Sequence, residues 1–125
     1  MQDFSTILAE AFLAAQDAAK AEDARLPPEN SRGFDCGFAW VDVPTPHDAD
    51  PVTKAFVKWC KGRNVQPNDR KYGNPRGYGK AAWQFWSPAK AITQSISVHY
   101  AGAAAFALVL RNHGIRDAQA GQRLD

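Results

Sequence analysis

Apolar residues recur at helical spacing at the start of the chain. Phe4, Ile7, Leu8, Ala11, Phe12, Ala15, Ala18 and Ala19 follow the i, i+3, i+4, i+7 rule, which predicts an amphipathic helix over residues 4–24. Asp3 stands at the N-cap position and Glu10 supplies an early acid. Leu26, Pro27 and Pro28 end the helix, because proline lacks a donor and restricts the residue before it. A polar connector follows to residue 35. Residues Phe38 to Val43 are rich in aromatic and β-branched types and predict a strand over 37–43, stopped by Pro44 and Pro46. Asp50 and Pro51 form a cap-and-first-position pair for a second helix. Its apolar face is Val52, Ala55, Phe56, Trp59 and Cys60, its opposite face Lys54, Lys58 and Lys61, and Gly62 is the expected stop.

Residues 63–81 carry no clear period, and a loop of that length in a small domain is usually functional or mobile. Residues 82–86 read as a second strand, broken by Ser87 and Pro88. Thr93 to Val98 alternates polar and apolar, which predicts a third strand pairing with the second as a hairpin. His99 to His113 reads as an alanine-rich helix with Ala103, Phe106 and Leu110 on one stripe, closed by Gly114. The polar end, Ile115 to Asp125, is expected to dock loosely. The expectation is one α+β domain over residues 1–125, in the order α-β-α-β-β-α, with a small, mainly antiparallel three-stranded sheet packed by helices. Its core would draw on Leu8, Phe12, Trp40, Val41, Phe56, Trp59, Phe85, Ile96, Phe106 and Leu110. A chain of 125 residues buries roughly two-thirds of its unfolded surface and needs no staples.

The net charge of +2 hides a strong asymmetry. From Lys54 to Lys90 nine cations face Asp69 alone, leaving +8, whereas residues 1–53 hold three cations and ten acids. Tyr72, Tyr78, Trp83, Trp86 and four glycines lie inside the basic block. Guanidinium forks match phosphate geometry, lysines add point charges and aromatic rings stack bases. Lys58, Lys61, Arg63, Arg70, Lys71, Tyr72, Arg76, Tyr78 and Lys80 are therefore the candidate ligand-binding residues. The competing reading of Lys54, Lys58 and Lys61 is a solvated helix face. One of Trp83 and Trp86 is expected in the core, and Tyr72 and Tyr78 are the better candidates for exposed stacking.

Other chemistry has less support. Gly73, Gly77, Gly79 and Lys80 lack Walker A spacing and follow no strand. Cys36 and Cys60 form no C-x-x-C and cannot alone make a zinc site, so both are expected to be unbridged, metal-free thiols. A nucleophilic Cys36 would need a histidine brought to it by the fold. His99 and His113 lie on one helix face but about 21 Å apart, too far for one ion. Asp35, Asp42, Asp48 and Asp50 match no calcium loop. No catalytic group, cofactor or metal is expected. The apolar stretch near residues 100–110 is too short to span a bilayer, and the N-terminus does not read as a signal peptide, so a non-membrane, intracellular protein is expected.

Several segments taken in order carry a resemblance: residues 36–43, 56–59, 86–88, 93–95, 101–106 with Leu110, Gly114 and Ile115, and the terminal Arg123 to Asp125. Together they resemble a group of small, largely uncharacterised accessory proteins of tailed bacteriophages and prophages. The resemblance covers residues 36–125 and brings no activity, cofactor or site residue with it. It implies a setting, the cytoplasm of a bacterial host. The leading expectation is a binding module that grips an anionic ligand, nucleic acid first, through the surface of residues 54–90. The alternatives are a binder or inhibitor of an acidic host defence protein, and a small enzyme or nucleotide-ligand sponge.

Overall fold

In the computed structural model, which describes residues 3–28, 36–45, 50–63, 70–75, 82–91, 93 and 95–124, three helices lie on one face of a four-stranded antiparallel sheet. The coarse class is α+β, as the sequence predicts. The strand count and the order of elements differ.

The first helix, α1, spans Phe4–Arg25. The Asp3 carboxylate accepts from the Ser5 and Thr6 amides at 3.1 and 3.3 Å and from the Thr6 hydroxyl at 2.7 Å. The hydroxyl and the amides hold the Asp3 carboxyl below its ordinary pKa. Ile7, Leu8, Ala11, Ala15 and Ala19 form its buried stripe. That stripe is mostly alanine, so the last helix can approach closely. A Cβ added at Gly102 would lie 3.1 Å from the Ala15 carbonyl.

Strand β1 is Gly37–Pro44, and helix α2 is Pro51–Arg63. The Asp50 carboxylate accepts from the Val52 amide at 2.9 Å, which is the predicted cap. The helix runs one residue past Gly62. A single 3-10 turn, Arg70–Tyr72, leads through Gly73 into the short strand β2, Asn74–Pro75. Strand β3 is Ala82–Trp86, helix α3 is Ile96–Asn112 and strand β4 is Gln119–Leu124.

The sheet order is β2-β3-β1-β4. β3 pairs with β1, Val41 opposite Phe85, and does not turn back into a hairpin with residues 93–98. Residues 96–98 of the predicted third strand are instead the start of α3, with Ser95 at its N-cap. Among the described residues of this stretch, Ser95 keeps a sheet contact, an isolated bridge to Cys36. Beyond it the apolar positions Val98, Gly102, Ala103, Phe106, Ala107 and Leu110 continue at helical spacing, and that longer period overrides the short alternation.

The second correction is the C-terminus. The Ile115 amide donates to the Leu110 carbonyl at 3.0 Å and the Gly114 amide to the Arg111 carbonyl at 3.1 Å, with Gly114 at φ 95°. This Schellman arrangement needs a left-handed residue after the cap, which glycine supplies without a Cβ clash. It turns the chain so that Ile115 and Ala118 enter the core, and residues 119–124 then pair with β1. Arg111 donates to the Ala118 carbonyl at 2.9 Å and fixes the same corner.

All three helices pack on the sheet face formed by Ala39, Val41, Val43, Trp83 and Phe85. Phe85 is central to it. Its ring centroid lies 5.0 Å from Phe106 of α3, 6.0 Å from Phe56 of α2 and 6.5 Å from Phe12 of α1. Of the predicted core, Leu8, Val41, Phe56, Phe85, Phe106 and Leu110 are buried, and Phe12 and Trp59 pack at its margin. Trp40 and Ile96 do not join it. Among the described residues no helix is long and apolar enough to cross a membrane.

Candidate functional site

Burial of Thr53, Phe56, Val57 and Cys60 turns the opposite side of α2 outward, so Lys54, Lys58, Lys61 and Arg63 are all exposed. None of the four forms an ion pair among the described residues. Lys54, Lys58 and Lys61 line a shallow groove of about 250 Å³ with Thr45 and Val57. At the C-terminal end of α2 the cations sit over rings. The Arg63 guanidinium is 4.4 Å from the Trp59 centroid, Lys61 Nζ is 5.8 Å from Trp83, and Lys71 Nζ is 5.4 Å from Tyr72. Such contacts contribute about 0.5–1 kcal/mol each at exposed sites and hold the cation in a defined place.

Tyr72 is half-buried and meets Trp59 edge-to-face at 5.8 Å. Its carbonyl accepts the Trp83 indole N–H at 2.7 Å. Tyr72 is thus an anchor of this corner more than a free stacking ring. Trp83 is the core tryptophan of the predicted pair and Trp86 faces outward. Arg70 opens the 3-10 turn. Arg76, Tyr78 and Lys80 lie outside the described residues. Lys90 stands apart from the cluster, with its Nζ 5.5 Å from the ring of Phe12 on α1, so the basic run in sequence is divided between two sides of the fold.

The other face of the sheet is not covered by any described helix, and its pattern was not recognised from sequence. The register sets Gly121, Trp40 and Trp86 in one row across three strands. The next row holds Gln119, Asp42, Gln84 and Asn74. Phe38 lies opposite Arg123. The Trp40 and Trp86 rings are parallel within 3°, with centroids 5.6 Å apart, and Phe38 meets Trp86 at 5.5 Å. The Trp40 indole lies over Gly121, where an added Cβ would come 2.5 Å from Nε1. Trp40 Nε1 donates to Asp42 Oδ2 and Gln84 Nε2 to Asp42 Oδ1, each at 3.2 Å. The Arg123 guanidinium stands 6.0 Å from the Phe38 ring. The available signal was that both phases of β1 are apolar: Phe38 and Trp40 on one, Ala39, Val41 and Val43 on the other. Residue size favoured the tryptophan for the core, but the small residues fill it because three helices press on that side.

The remaining reactive groups have structural partners. Neither Cys60 nor Cys36 is in a disulfide. Burial pushes the Cys60 thiol up to about 12, against a small opposing effect of Arg63, so it is no nucleophile at neutral pH. His99 Nε2 lies 2.7 Å from the Thr93 carbonyl oxygen, and His113 Nε2 lies 2.8 Å from Glu10. No cluster of three metal-binding side chains occurs among the described residues. Compared with family models, curated proteins and solved structures, the chain matches none.

Proposed function

We propose that this protein binds nucleic acid, taking phosphates on the exposed cations of α2 and on Lys71 of the 3-10 turn, as an accessory protein acting inside a bacterial host of phage or prophage. One observation carries the reading. Lys54, Lys58, Lys61 and Arg63 share one exposed helix face without an ion pair among the described residues, and the Arg63 fork is steadied on Trp59. A helix face kept only for solubility would mix both signs; four cations without counter-charges favour a polyanion. The acidic residues Glu10, Asp17, Glu22 and Asp23 of α1 repel the same ligand and orient its approach.

The test is a titration with single-stranded and duplex DNA and RNA at low and physiological salt. Affinity should fall steeply with salt, each cation on a duplex phosphate adding about 0.9 to the log–log slope. The double variant Lys58→Glu, Lys61→Glu should lose most binding while unfolding as the wild type does, since exposed helix charges contribute little to folding. No binding by the wild type at low salt ends the nucleic-acid reading. Binding that the charge reversal leaves unchanged moves the site elsewhere. A cellular partner retained after nuclease treatment would favour an acidic protein instead.

A further inference from the structure

We infer that the sheet face that no described helix covers is a stacking platform for unpaired bases, which makes single-stranded nucleic acid the ligand; the inference rests on the binding reading above. Three observations on that face converge. First, its aromatic row is large and outward. Phe38 is 37% exposed, Trp86 and Trp40 are half-buried, and Trp40 is held between Trp86 and Gly121. A sheet face that only met water would alternate to polar residues at these positions. Second, Trp40 is held in place before any ligand arrives. The Asp42 carboxylate uses one oxygen to fix the Trp40 indole and the other to fix the Gln84 amide. Pre-organised rings bind without a further ordering cost. Third, amides lie beside the rings. Gln119 and Gln84 occupy the same row as Asp42, and an amide carries donors and an acceptor that suit the edge of a base.

Charge selects the occupant. Arg123 flanks Phe38 at one side of the rings. At the other side the amide row ends at Asn74 of β2, and the turn carrying Lys71 comes immediately before that strand. A strand of phosphates can run from Arg123 across the rings and over the β2 edge toward Lys71, Lys61 and Arg63. In a duplex the base faces are hidden by stacking, so flat rings on an open sheet reach only splayed bases.

The experiment is a fluorescence titration of the full chain with a short oligothymidylate and with a blunt duplex of equal length, at physiological salt. The wild type should show tryptophan quenching with the oligothymidylate and bind it more tightly than the duplex. Phe38→Ala and Trp86→Ala should each weaken oligothymidylate binding roughly ten-fold and leave duplex binding within about two-fold. Phe38→Leu, which keeps apolar cover but removes the ring, should show the same loss and serves if an alanine variant fails to fold. If the aromatic variants bind as the wild type does while Lys58→Glu, Lys61→Glu loses both ligands, the platform is wrong and the α2 reading stands. If the wild type binds neither ligand even at low salt, both fall. If the wild type self-associates and Phe38→Ala makes it monomeric without changing affinity, the face is an interface between copies and the inference is overturned.

Discussion

Replacing Gly73 by alanine should destabilise the protein by about 1–5 kcal/mol, although glycine-to-alanine changes are often stabilising. Gly73 has φ 76°, and a Cβ there would meet the Trp83 indole nitrogen and come within 2.9 Å of the Gln84 carbonyl oxygen. Three terms decide the sign. Restricting the unfolded chain gains about 0.4–1 kcal/mol. Forcing a residue with a Cβ into the left-handed region costs about 1–2 kcal/mol. Moving the indole breaks its hydrogen bond to the Tyr72 carbonyl, and Trp83 is only 2% exposed, so the stranded donor costs about 1–3 kcal/mol more. The losses exceed the gain. Gly62→Ala is the internal control, because a Cβ there meets nothing within 4 Å and the residue is helical; it should stabilise by about 0.5–1 kcal/mol. Urea unfolding at 25 °C, followed by tryptophan fluorescence, measures both. A Gly73→Ala variant as stable as the wild type would refute the latch between Trp83 and Tyr72, and with it the anchoring of Lys71 beside α2.

Phe106→Ala should cost about 3–5 kcal/mol, since its fully buried ring touches both Phe12 and Phe85 at 5.0 Å; the same unfolding assay reads it. Truncation after Ala118 should lower the unfolding midpoint and speed amide exchange along β1, because β4 supplies one of its two neighbours; unchanged exchange would return the tail to a loosely docked segment. Cys60 should make stability fall with alkaline pH. Its folded pKa of about 12 lies above the ordinary 9.0, so its contribution is full below pH 9 and is lost as pH rises from there toward 12. Cys60→Ala should remove that part of the pH dependence, and the native wild type should resist thiol reagents at Cys60 at neutral pH.

The sequence by itself determined whatever is written in local chemistry. The capping pairs at Asp3 and at Asp50 with Pro51, the apolar stripe of α1 and the strand stopped by Pro44 are legible because neighbouring residues alone set those backbone choices. Gly114 was read correctly as a stop, but the chain direction that it imposes was not. The lysine face of α2 was legible too, since a 3.6-residue period separates Phe56 and Cys60 from Lys54, Lys58 and Lys61. Tertiary structure decided the rest. The alternation of Thr93 to Val98 gave way to α3 because Val98, Phe106 and Leu110 bury more surface as a helix against α1 and the sheet than a short strand could. β4 carries no strand signature: its backbone is held by β1 and its side chains are largely outside, so pairing and not hydrophobicity makes it a strand. The expectation of Trp40 in the core failed because size alone does not choose a face. β1 has two apolar phases, and only the closeness of the three helices selects the small residues for the core and sends Phe38 and Trp40 to the open face.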